Sequence, residues 1–154
     1  MSLIDKIILR LIQKNISISI AESCTGGLIS SSITKINGAS KIFSCGIISY
    51  SNNSKIKYLS VSKRTLNKFG AVSSNVAIEM IDGLYNMEKS KITISTTGIA
   101  GPNGGNKNKP VGLVYVGLKF KNENYIYKKL FTGSRADVQK KTKNFVFKKI
   151  NKLI

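Results

Sequence analysis

The stretch Ile16-Ser17-Ile18-Ser19-Ile20-Ala21-Glu22-Ser23-Cys24-Thr25-Gly26-Gly27 decides the fold class. Its first half alternates β-branched and small polar residues, the pattern of a short strand. Two glycines then break the run, and the apolar stretch from Leu28 reads as helix. A strand that turns directly into a helix is the opening unit of an α/β layer. Ser23 stands on that turn, beside helix-start amides that favour negative charge. A hydroxyl held there can be a nucleophile, and amides near Thr25, Gly26 and Gly27 can stabilise the oxyanion it creates. The alternative is that Ser23 or Thr25 only caps the helix.

The alternation of strand and helix continues on both sides of this unit. Leu3, Ile7, Ile8, Leu11 and Ile12 mark a helix at 2–14, opened by a Ser2–Asp5 capping pair. Strands are expected at 16–21, 43–50 and 91–97, with helices at 25–36, 54–59, 63–69 and 74–88. Gly70 fits a helix stop, and Val76, Ala77, Met80, Ile81 and Leu84 form a helical stripe. Two further strands, 111–120 and 124–131, flank the break Lys121-Asn122-Glu123-Asn124 and should pair as an antiparallel hairpin. A Ser134–Asp137 capping box then starts a final helix from about 135. This order predicts an α/β domain around a mixed, mostly parallel sheet of about five strands. Ligands of such sheets gather beyond the carboxyl ends of the strands, where the loops Glu22–Gly27, Tyr50–Lys55 and Thr97–Pro110 should converge.

Composition narrows the chemistry. The 154 residues suffice for one domain, with no internal repeat or linker, and no stretch approaches the 18 to 20 apolar residues of a membrane span. A soluble, cytoplasmic protein is expected. Two cysteines are too few for a disulfide framework or a zinc site. With no histidine, a Cys-His pair within the chain is excluded, although Cys24 stays an alternative nucleophile. Seven carboxylates without a ligand-like cluster imply neither metal nor other cofactor. The net charge of +18 comes from 22 lysines against 3 arginines, alongside 22 isoleucines and 14 asparagines. All three inflated residue types have AT-rich codons, and the lysines are dispersed. Nucleic acid is therefore not the expected partner, whereas a phosphorylated small molecule suits the charge.

Three more segments carry candidate residues. In Tyr50-Ser51-Asn52-Asn53-Ser54-Lys55, Ser54 reads as an N-cap and Lys55 as a first-turn residue. The helix dipole disfavours a cation there, which should lower the pKa of Lys55 and let it take a proton from Ser23. A solvated surface lysine is the plain alternative. Tyr50 could orient the pair. The loop carrying Thr97, Gly98, Gly101, Pro102, Gly104 and Gly105 lets backbone approach a ligand closely, yet it matches neither a Walker loop nor a dinucleotide fingerprint. Arg135, one of the three arginines, opens the last helix, where a phosphate would meet both its fork and the helix amides.

Taken together, Ala21–Gly27, Tyr50-Ser51-Asn52 with Lys55, Gly70-Ala71-Val72-Ser73, and Thr97–Pro102 with Gly104-Gly105 and Lys109–Gly112 resemble one family. It is the carboxy-terminal domain of the competence/damage-inducible protein CinA, which includes stand-alone nicotinamide-nucleotide amidases. The resemblance implies a single three-layer α/β/α domain over 1–154, often oligomeric. It also implies hydrolysis of nicotinamide mononucleotide to nicotinic acid mononucleotide and ammonia, a reaction of pyridine-nucleotide salvage. Carried over by motif, Ser23 is the nucleophile, Lys55 the general base and Tyr50 a hydrogen-bonding partner. Glu22, Thr25, Gly26, Gly27, Thr97, Gly98, Gly101, Gly104, Gly105 and Arg135 are the expected substrate-binding positions. Larger members carry an additional amino-terminal domain, and this chain resembles the stand-alone form. It differs in having Ser134 where relatives commonly carry an acid, and Gln139-Lys140-Lys141 where a further arginine is common. The alternative reading is a nucleotide-binding or competence-associated module with the same fold and no turnover.

Overall fold

Strand β1 (Ile18–Glu22) is buried at all five positions, as befits a central strand covered on both faces. A computed structural model, describing residues 1–154, shows what covers it. Before it comes α1 (Leu3–Gln13); after it come α2 (Leu28–Thr34), a 3-10 turn at Ala39–Lys41 and β2 (Phe43–Ile48). The chain continues through α3 (Asn52–Leu59), α4 (Lys63–Phe69) and α5 (Ser74–Glu88). It closes with β3 (Ile92–Gly98), β4 (Leu113–Phe120), β5 (Glu123–Leu130) and α6 (Arg135–Leu153). The five strands form one sheet in the order β2-β1-β3-β4-β5.

β1 pairs in parallel with both β2 and β3, whereas β3–β4 and β4–β5 are antiparallel. Only β4 therefore runs against the other four, and the sheet is mixed and mostly parallel, as expected. Parallel crossovers are right-handed. The step from β1 to β2 and the step back across β1 to β3 travel in opposite directions, so their helices fall on opposite faces. That gives three layers, with α1, α2 and α6 on one side and α3, α4 and α5 on the other.

Each face has its own core. Ile7, Ile8, Leu11, Ile29, Ile33, Val146, Phe147 and Ile150 close on Ile18, Ile20, Ile92 and Ile94 in a cluster of 20 buried residues. Across the sheet, Ala21 meets Leu59, Val61, Leu66, Val76, Met80 and Leu84.

The element boundaries moved at the turns. Helix α2 begins at Leu28 rather than 25, because Gly26 and Gly27 adopt φ of 56° and 96°, outside the helical region. Strand β2 ends at Ile48 rather than 50. Helix α3 begins at Asn52, since Ser51 and not Ser54 is its N-cap; the two serines bond reciprocally in a capping box.

Candidate active site

Strand alternation determines which side chains enter the site. Ile18 and Ile20 join the core beneath α1, α2 and α6, whereas Ala21 faces α3 and α5. The pairing extends one residue past β1, where the Ser23 N–H donates to the Thr96 carbonyl at 3.0 Å. Ser23 thus shares the face of Ala21, and Glu22 takes the opposite one.

On Ser23's face lies Lys55, only 1% exposed. Its Nζ is 2.9 Å from Ser23 Oγ and donates to the Ser49 carbonyl at 2.8 Å. The single ion pair of the structure is Lys119–Asp82, so no carboxylate pairs with Lys55. Burial lowers its pKa from the ordinary 10.5, because an ammonium there lacks both water and a counter-charge. The direction agrees with the expectation from sequence, but the cause differs. With Ser51 as N-cap, Lys55 is the fourth residue of α3, beyond the first turn that the dipole argument needs. A neutral amine that donates to Ser49 keeps its lone pair for the Ser23 hydroxyl. Ser49, not singled out in the sequence, enters through a carbonyl, a group that every residue carries.

Glu22 is fully buried and turned away from this pair. Its carboxylate accepts from Thr25 Oγ1 (2.6 Å), from the amides of Gly27 (3.1 Å), Ile29 (3.2 Å) and Ser30 (2.8 Å), and from Ser30 Oγ (2.7 Å). The start of α2, whose N-cap Gly27 offers no side chain, is capped by this carboxylate instead. Neither Ser23 nor Thr25 caps it. Two of the expected oxyanion donors are therefore spent, Gly27 on Glu22 and Gly26 on the Ser23 carbonyl at 3.1 Å. The N–H groups of Cys24 and Thr25 remain without a protein acceptor.

Ser23 and Lys55 open into a cleft of about 240 Å³. It brings together Tyr50, Thr97, Gly98, Gly101, Gly104 and Arg135 from the expected set, and adds Cys24, Asn52, Ala71, Val72, Ile99, Ala100 and Asn103. Glu22, Thr25, Gly26, Gly27 and Gly105 do not line it. Thr97 Oγ1 donates to the Ala71 carbonyl at 2.7 Å, fastening the end of β3 to the segment before α5. Arg135 spans the rim, with Nη1 on the Gly101 carbonyl (2.9 Å) and Nη2 on the Tyr50 hydroxyl (2.6 Å). Tyr50 is 60% exposed and bonds this arginine rather than Ser23 or Lys55. Gln139 donates to the Cys24 carbonyl at 3.0 Å, pinning the turn from α6. Burial pushes the Cys24 thiol up to about 12, which keeps it protonated, and it is the Ser23 hydroxyl, not this thiol, that the Lys55 amine meets.

The CinA C-terminal domain family matches residues 1–154. A CinA-like protein of Fusobacterium nucleatum subsp. nucleatum is 52% identical over 133 residues, 86% of this chain and 32% of that protein. A CinA-like protein of Kosmotoga olearia is 46% identical over 143 residues, 92% of this chain and 35% of that protein. The chain thus spans about a third of the length of these curated relatives. Among solved structures, the competence/damage inducible protein CihA from Agrobacterium tumefaciens superposes with a TM-score of 0.92 at 34% identity, covering 99% of both chains. A CinA superfamily protein from Escherichia coli gives 0.92 at 30% identity, over 98% of this chain and 90% of that one. With a match that runs through every residue and neighbours that share the whole fold, this chain belongs to the CinA C-terminal domain family.

Proposed function

We propose that the chain is a serine amidohydrolase that converts nicotinamide mononucleotide and water to nicotinic acid mononucleotide and ammonia. The observation that supports this most directly is a buried amine without a counter-ion, 2.9 Å from a serine hydroxyl at the mouth of a cleft. A lysine whose charged form burial disfavours can do the work that histidine does in a triad, and this chain has no histidine. The family also includes amidases.

In this reading Ser23 Oγ attacks the carboxamide carbon while Lys55 Nζ takes the hydroxyl proton. The amide of Cys24, the residue of this turn that lines the cleft beside Ser23, is the unspent donor for the oxyanion; one such donor is worth about 3 kcal/mol. Collapse of the tetrahedral intermediate breaks the C–N bond, and Lys55 returns its proton to the departing ammonia. Water, deprotonated by Lys55, then cleaves the acyl-enzyme and frees Ser23. Arg135, Ala100, Gly101 and Gly104 line the cleft where a phosphate would lie, and the amides of the last three have no protein acceptor. Homo-oligomerisation, a family trait, belongs to this proposal as well.

The test is release of ammonia and nicotinic acid mononucleotide in equal amounts by purified protein. Ser23→Ala should abolish it while leaving the circular dichroism spectrum unchanged. Turnover by that variant equal to wild type would refute the nucleophile. Nucleotide-dependent thermal stabilisation without turnover by the wild type would replace the amidase with a binding module.

A further inference from the structure

A second cavity, of about 460 Å³, lies at the other end of the sheet. It opens where β3 begins and β4 ends, whereas the Ser23 cleft lies at the end of β3. The seven residues of β3 separate the two by about 20 Å at the usual strand rise. Two lysine pairs face each other there, Lys89 and Lys91 around Ser90 leaving α5, and Lys119 and Lys121 around Phe120 at the tip of the β4–β5 hairpin. Ile92 pairs with Phe120 in the antiparallel ladder, so Lys91 and Lys121 leave that pair side by side. Like charges across a ladder are destabilising.

Neutral partners take up part of this crowding without removing charge: Lys91 Nζ donates to the Asn15 carbonyl at 3.0 Å, and Lys89 Nζ lies 3.5 Å from Asn86 Oδ1. Asp82 lies 3.4 Å from Lys119 and is the only carboxylate that pairs with any of the four. Glu88 is engaged by Ser44 on β2. The ammonium groups of Lys89 and Lys119 instead stand 4.8 and 5.0 Å from the centre of the Tyr85 ring, which holds both at one wall. Ser90, which also lines the cavity, carries one of two buried side-chain oxygens without a hydrogen-bond partner. Ile16, Tyr85 and Phe120 supply apolar wall.

We propose that this cavity binds a small molecule bearing linked phosphoryl groups. Four lysines outnumber the carboxylates around them, Asp82 paired with Lys119 and Glu88 and Glu123 on the adjoining segments, and leave a net positive charge that suits linked phosphoryl groups. The cavity volume falls within the roughly 300–1,000 Å³ usual for small-ligand sites, and the Tyr85 and Phe120 walls leave room for an attached planar group. The proposal is independent of the amidase reading, because none of these residues touches Ser23 or Lys55.

The test is calorimetric titration of the full chain with inorganic tripolyphosphate and with ATP at 150 mM salt, a concentration that screens scattered surface charge. Saturable binding at one site per chain is expected for both probes. The double variant Lys89→Gln/Lys121→Gln should weaken it at least tenfold. Removing the same charge elsewhere, in Lys63→Gln/Lys68→Gln, should weaken it less than twofold. Tighter binding of ATP than of tripolyphosphate would assign the apolar wall to a base; equal binding would assign the site to phosphates alone. Equal weakening by both double variants, absence of saturation, or a DNA duplex that displaces ATP while binding tighter would each overturn the proposal.

Discussion

Replacing Lys55 by methionine separates what its amine does from what its aliphatic stem does. The stem is packed and methionine keeps its volume, so the change removes Nζ with its contacts to Ser23 and Ser49 and leaves no cavity. Loss of a general base raises the barrier by about 3–5 kcal/mol, a 10²- to 10⁴-fold fall in kcat. Stability should respond differently, and its response depends on pH. Where the amine is neutral, the variant loses two hydrogen bonds and leaves the Ser49 carbonyl unmet, a cost of about 2–3 kcal/mol.

Below that range the balance shifts. The folded pKa of Lys55 lies below 10.5, so between the two values the unfolded chain binds the proton and the folded chain does not. Wild-type stability therefore rises with pH relative to Lys55→Met, by at most about 1.4 kcal/mol per pH unit. Below the folded pKa the difference is flat and the wild type carries the full penalty of a desolvated ammonium. Urea unfolding of both proteins followed by circular dichroism between pH 6.5 and 10 reads this directly. The acidic limb of the wild-type kcat/KM profile should level off at the pH where this stability difference starts to rise, because both report the folded pKa of Lys55. A stability difference that stays constant across that range would show that Lys55 titrates as an exposed lysine. Turnover by Lys55→Met within tenfold of wild type would remove the amine from the chemistry.

Cys24→Ala should keep kcat within about threefold, since a thiol held near 12 is not the nucleophile; a loss as deep as that of Ser23→Ala would refute this. Glu22→Gln leaves the carboxylate's geometry but turns a donor toward the amides at the start of α2, and should cost about 2–4 kcal/mol by thermal or urea unfolding. Arg135→Ala should raise KM for nicotinamide mononucleotide about tenfold with a smaller change in kcat, whereas Tyr50→Phe, which breaks only the rim contact, should leave both within about threefold. Gly83→Ala should destabilise by about 3 kcal/mol or more, because its Cβ would lie 1.8 Å from the Leu59 carbonyl oxygen and force α3 off α5.

That last position shows what was legible in the sequence and what was not. The α5 stripe, the capping boxes at Ser2 and Ser134, and the hairpin break at Lys121–Asn124 were all readable, because each depends on residues close in sequence. Gly83 sits within α5, where glycine costs about 1 kcal/mol relative to alanine. Its reason lies 24 positions away at Leu59, in the packing that carries Lys55 to Ser23. The depth of Lys55 was hidden for the same reason, since local rules place a lysine near a helix start on the surface. Its proximity to Ser23 was expected from motif order, but the force acting on its pKa comes from tertiary burial. The 3-10 turn at Ala39–Lys41 had no local signal beyond Gly38.

The contrast between Glu22 and Ser23 carries the most chemistry per residue. Adjacent positions at a strand end point to opposite faces of the sheet. A carboxylate beside Lys55 would favour its ammonium form and remove the lone pair that the serine needs in the proposed mechanism. Alternation keeps Glu22 one layer away, where five donors satisfy its carboxylate and it fixes the turn from beneath. The same turn leaves the Cys24 amide unspent at the cleft, while the amides of Gly27, Ile29 and Ser30 beyond it are occupied by Glu22. An acid therefore serves this site best by being unable to reach the base. A one-residue slip of β1 would exchange the two side chains, pair the lysine with a carboxylate and leave the start of α2 uncapped.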